Sequence, residues 1–212
     1  MNEVYKFIVE NYKCNEPIFT DDLKEQVNLN PNTFRQTIKR LSDRGLLKKV
    51  ENGIYFIPRS NSVLKSPKLS VDKIISQKFI NKQGRITGYK TGTNFANSLG
   101  LTTQTASIPT IITNNTASAK REVKFYNKRV IVKKPKVQIN ENNYKVLQIL
   151  DLFNEYERVS EVPLENVKSY ITKYLKDVSI NERELKVYLK AYPDKTKLKL
   201  YESGVYDEIT RV

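Results

Sequence analysis

Histidine is absent from this 212-residue chain, and cysteine occurs once, at Cys14. The missing histidine removes the commonest general base and the commonest transition-metal ligand. A single cysteine excludes an internal disulfide and a cysteine-built zinc site, and it suits a reducing compartment. No apolar run approaches the ~18 residues of a membrane span. The opening MNEVYKFIVENYK mixes polar and apolar residues and has no apolar signal region. The expected setting is therefore the cytoplasm, without membrane attachment. Neither G-x-x-x-x-G-K-S/T nor G-x-G-x-x-G occurs. The stretch GYKTGTN, Gly88 to Asn94, carries two glycines and a lysine at the wrong spacing for a phosphate loop. It reads as a tight turn and a helix cap.

Acidic residues are scarce in one region only. Residues 1–60 hold ten Lys/Arg against eight Asp/Glu, and residues 141–212 hold twelve against thirteen. Residues 61–140 hold fifteen against two, Asp72 and Glu122, so nearly all of the net charge of +14 sits in the middle third. Such a charge balance favours nucleic acid, an acidic protein or an anionic membrane face as partner. A nuclease needs clustered carboxylates to hold metal ions, and the basic region offers only those two. The C-terminal acids Glu155, Glu157, Glu182 and Glu184 alternate with lysines, as on a solvated helix face. A serine or cysteine nucleophile would lack a base partner. We expect no catalytic residue, no metal site and no cofactor, and hence no enzyme.

The most informative stretch is NLNPNTFRQTIKRLSDRGLLKKVENGIYFIP, Asn28 to Pro58. Asn30 is placed to cap a helix, and Pro31 takes its first position, where no N–H is needed. The helix should run to about Arg44 and end at Gly45. Two helices precede it, over 2–12 and about 21–27, the second capped by Thr20. Strands over 46–50 and 54–57 follow, joined by a turn at Glu51-Asn52-Gly53. This order, three helices and a hairpin, is that of a winged helix-turn-helix. Phe34, Ile38 and Leu41 would hold the third helix on the core. Asn32, Thr33, Arg35, Gln36, Lys39 and Arg40 would face outward, where a recognition helix meets the major groove of double-stranded DNA. Arginine can bond guanine O6/N7 and glutamine adenine N6/N7. Lys48, Lys49, Asn52 and Arg59 on the hairpin would reach phosphates or the minor groove.

Beyond a Ser/Lys/Pro-rich connector at 61–69, Ser70 should cap a helix over 71–82. A short strand at 85–87 follows, then a loop between Gly88 and Gly92, a helix over 91–99, a strand over 108–113 and a hairpin at 123–133. From about Asn142 the pattern turns helical, with helices from about 144, 163, 181 and 194. The expected fold class is thus α+β. A winged helix-turn-helix occupies 1–60, and a second domain occupies 70–212, mixed α/β over 70–140 and α-helical over 141–212. Gly100 should be the residue after a helix end, with Leu99 and Leu101 packed around it. Lys120, Arg121, Lys124, Lys128, Arg129, Lys133 and Lys134 form a second basic surface for nucleic acid or a protein partner.

The segment TGYKTGTNFANSLGLTTQTASIPTIIT, Thr87 to Thr113, resembles the AbiEi-like antitoxins of type IV toxin–antitoxin systems. The matching residues are Leu99, Gly100, Leu101, Thr102, Thr103, Gln104 and Pro109. The hairpin close at Gly53, Tyr55, Pro58 and Arg59 and the basic hairpin Lys120 to Lys134 also fit, and the likeness extends over about residues 18–150. The resemblance implies a transcriptional autoregulator that represses its operon at promoter inverted repeats. It also implies an antitoxin that counteracts a nucleotidyltransferase toxin encoded alongside, without requiring a stable complex. The alternatives are a winged-helix repressor whose second domain senses a ligand or partner, and, from another class, a metal-dependent nuclease.

Overall fold

The computed structural model describes residues 3–59, 68–178 and 180–210. The chain divides into two compact units, Met1–Gln77 with Phe125–Lys128, and Lys78–Lys124 with Arg129–Val212. Most of the connector expected at 61–69 lies outside the described residues. Among those described, no helix is long and apolar enough to cross a membrane.

The first unit runs α1 (Glu3–Asn11), β1 (Ile18–Phe19), α2 (Thr20–Gln26), α3 (Pro31–Asp43), β2 (Lys48–Glu51), β3 (Ile54–Phe56) and α4 (Val71–Ile75). Its strands form an antiparallel sheet in the order β1-β3-β2, with Ile18 opposite Tyr55 and Lys48 opposite Phe56. Val4, Ile8, Ile18, Leu23, Phe34, Ile38, Leu41 and Leu47 make one apolar core. The caps of α3 are as expected. The Asn30 side chain accepts from the Asn32 N–H at 3.0 Å, and Gly45 takes φ +71°. Other details differ. Thr20 is the first residue of α2 and not its cap; its hydroxyl donates to the Gly53 carbonyl at 3.4 Å. Leu46 and Leu47 close the end of α3 by bonding back to the Leu41 carbonyl, so β2 starts later than 46. Ser70 precedes α4 without a side-chain capping bond, and α4 gives way after five residues to a π turn, Ser76–Ile80.

The second unit begins with a small hairpin, β4 (Asn81–Lys82) and β5 (Arg85–Ile86). It continues through β6 (Gly88–Thr91), α5 (Thr93–Ser98), β7 (Thr110–Thr113), β8 (Lys120–Phe125) and β9 (Lys128–Lys133). Helices then follow: α6 (Tyr144–Asn154), α7 (Tyr156–Val159), α8 (Val167–Leu175), α9 (Glu182–Leu189), α10 (Asp194–Glu202) and α11 (Val205–Thr210). The architecture is therefore α+β with a helical C-terminal part. The four-stranded sheet has the order β6-β7-β9-β8, with β6–β7 antiparallel and β7–β9 parallel.

Residues 88–91 were expected in a loop and form a strand instead. Glycine at 88 is what admits it: a Cβ there would lie 2.1 Å from the Phe79 carbonyl oxygen and 2.6 Å from that of Ile112. Only a residue without a side chain lets these backbones approach so closely. The central helix α6 is buried from Val146 to Phe153, Gln148 and Asp151 included. Both polar groups are satisfied, as buried polar groups must be. Gln148 donates from Nε2 to the Lys90 carbonyl at 2.6 Å and accepts from the Tyr174 hydroxyl. Asp151 accepts from the Tyr89 hydroxyl at 2.6 Å.

Candidate nucleic-acid interface

Helix α3 has two sides that follow from its spacing. Phe34, Thr37, Ile38 and Leu41 are buried, and Asn32, Thr33, Arg35, Gln36, Lys39 and Arg40 are all exposed. At 100° per residue the six exposed positions occupy one broad arc opposite the buried stripe. Among the described residues, Arg35, Lys39 and Arg40 have no carboxylate within 4.0 Å. They present unneutralised charge beside two amide groups, Asn32 and Gln36.

The β2–β3 hairpin carries the second group of expected contacts. Lys49, Asn52 and Arg59 are exposed, and Lys48 is half-buried. The Lys49 ammonium donates to Asn52 Oδ1 at 2.7 Å, which holds a positive charge over the turn. Gly53 at φ +78° permits that turn, and the register shifts between Lys49 and Glu51.

The β8–β9 cations do not behave as one set. Lys120, Arg121, Lys124, Arg129 and Lys134 are exposed in the second unit, while Lys128 falls with the first. Arg129 lies 3.8 Å from Glu122, and Lys133 is 3.2 Å from Glu155. Burial alone would raise the Glu155 carboxyl; Lys133 and Arg158 outweigh it and hold the group below the usual carboxylate range. The charge of Lys133 is therefore committed within the fold, and Lys120, Arg121, Lys124 and Lys134 are the cations of this unit's hairpin without an ion-pair partner among the described residues.

The segment Leu99–Gln104 serves structure first. Gly100 takes φ +79°, and the Leu101 N–H returns to the Ala96 carbonyl at 2.9 Å, which ends α5. Glu161 then gathers the following loop, accepting from the Thr103 N–H at 3.0 Å and from Gln104 Nε2 at 3.1 Å.

One buried acid stands out chemically. Burial pushes the Asp151 carboxyl up to about 6, against the opposing pull of the Tyr89 hydroxyl, Lys136 and Tyr192. Burial likewise raises the Tyr89 and Tyr192 hydroxyls, with Asp151 adding to the effect. Among the described residues no three acids or cysteines gather as a metal-binding group.

Sequence reasoning passed over the amide-rich run Gln138-Ile139-Asn140-Glu141-Asn142-Asn143. Asn114, at the end of β7, clamps it, donating to the Ile139 carbonyl at 2.8 Å and accepting from the Ile139 N–H at 3.0 Å. Asn140 Oδ1 accepts from the N–H groups of Asn142 and Asn143, and Asn143 donates to the Gln138 carbonyl at 2.9 Å. The signal was the density of Asn and Gln, residues that fold turns by bonding to nearby backbone.

No curated protein matches the chain. The model of a family described as "Family of unknown function (DUF6088)" matches residues 9–180. That match takes in α3, the hairpin that follows it and the whole four-stranded sheet, and the chain belongs to this family.

Proposed function

We propose that the first unit is a winged helix-turn-helix that binds double-stranded DNA, with α3 in the major groove and β2–β3 as the wing. The observation that carries this reading is the exposed face of α3. Six polar or basic side chains share one arc, and the three cations among them have no carboxylate partner among the described residues. Arg35 and Gln36 are the base-reading pair, and Lys39, Arg40, Lys48, Lys49 and Arg59 contact phosphates. The order α1-β1-α2-α3-β2-β3 and the three-stranded sheet support it, since this places a hairpin directly after the exposed helix.

The wider reading is a cytoplasmic transcriptional autoregulator and antitoxin of a type IV system, without catalytic activity of its own. It rests on the likeness of Thr87–Thr113 and of the hairpin close to AbiEi-like antitoxins. Its partners are promoter inverted repeats and a nucleotidyltransferase toxin, the latter countered without a stable complex. A gel-shift titration with the DNA immediately upstream of the gene, at two salt concentrations, tests the DNA half. A specific shift is expected; binding no tighter than to scrambled DNA would refute it. Growth rescue of cells expressing the neighbouring toxin gene tests the other half. A specific shift without rescue would leave a repressor whose second unit senses something else.

A further inference from the structure

Three hollows in the second unit open around Asn114. The first, about 540 Å³, is lined by Arg85, Thr87 and the run from Gln138 to Asn142. The second, about 370 Å³, is lined by Lys134, Pro135, Lys136 and Gln138. The third, about 540 Å³, is lined by the loop Asn115–Ser118 and Arg121. Asn114 borders all three, so they are arms of one shallow, branched groove.

We propose that this groove binds single-stranded RNA. The reading concerns a site separate from α3 and does not depend on the DNA-binding reading. Three features favour that ligand. The cations are distributed over the arms: Arg85 in the first, Lys134 in the second and Arg121 in the third, whereas Lys136 in the second holds its ammonium over the Tyr192 ring at 4.2 Å. None has a carboxylate within 4.0 Å among the described residues. Charges spread in this way do not converge on one small anion; they match successive phosphates of a strand. Two amide side chains on the rim, Gln138 and Asn142, are exposed and make no hydrogen bond of their own among the described residues. Amides read base edges, and a strand offers those edges fully only when it is unpaired. The remaining lining includes the hydroxyls of Thr116 and Ser118, which suit a 2′-hydroxyl as donor and acceptor, and one carboxylate, Glu141, in the first arm. The Thr87 hydroxyl, buried at the groove floor, has no hydrogen-bond partner, the one such buried side-chain atom among the described residues.

The floor is rigid enough to act as a template. The Asn114, Asn140 and Asn143 amides are all spent on backbone groups, which fixes the position of Gln138 and Asn142 before any ligand arrives.

Fluorescence polarisation with the full chain tests the proposal, using a labelled 12-nucleotide RNA of mixed sequence and the DNA strand of the same sequence. RNA should bind several-fold more tightly than the DNA strand. The double variant Arg85→Gln/Lys134→Gln should weaken RNA binding by tenfold or more and reduce the salt slope by about 0.7 per cation removed. Gln138→Ala/Asn142→Ala should weaken RNA binding several-fold while leaving the salt slope unchanged, since these amides carry no charge. Arg35→Ala should leave RNA affinity as in the wild type, which separates this site from α3. All four groove positions are exposed, and an unchanged melting temperature would certify folding. Equal affinity for the two strands, no affinity for RNA, or RNA affinity indifferent to both double variants would each overturn the assignment.

Discussion

Helices α3 and α10 carry three cations each, and α10 pairs two of its three while α3 pairs none among the described residues. On α10, Lys197 pairs with Asp194 one turn earlier, and Lys199 pairs with Glu157. Lys186 on α9 pairs with Glu182, and Lys168 on α8 with Glu208. On α3, Arg35, Lys39 and Arg40 have no such partner among the described residues, although Asp43 ends the same helix. Neutralised pairs at one-turn spacing dress a helix for water and add little to stability. Although Asp43 lies on the same exposed arc, it is not within ion-pair distance of these cations, and three cations against one acid leave the local potential positive, which is the condition for attracting phosphate. The teaching is that lysine content alone says little; what distinguishes a solvated face from a binding face is where the acids are.

The sharpest way to break the comparison is to collapse α3 itself. Phe34 is almost fully buried beneath the exposed arc, and Phe34→Ala should cost about 3–5 kcal/mol in urea denaturation. A loss under about 1 kcal/mol would mean that the helix is not held by this core.

The next effect concerns the second unit's interior. The Asp151 carboxyl is raised from 3.8 to about 6, so the folded state binds more protons than the unfolded state between those values. Stability from this group is fully present below about pH 4 and is lost as pH rises through about 6, a difference of about 3 kcal/mol. Asp151→Asn keeps an acceptor for Tyr89 and removes the titration. Its stability relative to the wild type should therefore increase from pH 4 to pH 7.5 in paired denaturation curves. A constant difference would mean that the carboxyl does not titrate in that window.

For the α3 face, Arg35→Ala or Gln36→Ala should cost roughly 1–3 kcal/mol in operator binding and relax specificity at one base pair. Unchanged preference in a competition assay would remove α3 from base reading. The smallest effect belongs to α10. Lys197→Ala should change neither DNA binding nor melting temperature measurably, because its charge is already answered by Asp194. A clear loss of DNA affinity there would abolish the distinction between the two helices.

Much of α3 was legible because its signals are local: Asn30-Pro31 at the start, Gly45 at the end, and apolar residues at helical spacing between. The exposed face followed from the same periodicity. The strand β6 was not legible, because Gly88 and Gly92 read as chain breakers. The close approach of the Phe79 and Ile112 carbonyls that demands Gly88 is a tertiary fact. β1 escaped notice for the same reason: two residues, Ile18 and Phe19, become a strand only by pairing with Tyr55 and Ile54. The final helix α11 follows Gly204 at φ +67°, a break that the apolar spacing alone did not reveal. For the second basic surface, sequence could count cations, but it could not show that Glu155 claims Lys133.

The position of β2 has a consequence of another kind. It lies at the edge of the sheet order β1-β3-β2, with one row of backbone groups unpaired within that sheet. An open edge is a template for another chain, and lysines are a common guard against such pairing. Lys48 and Lys49 stand on that edge, where charge disfavours pairing with another chain. Replacing them with valine or threonine to quiet phosphate binding would strip the guard and promote self-association, visible as rising light scattering in concentrated samples. Glutamate in their place would reverse the charge and keep the edge protected.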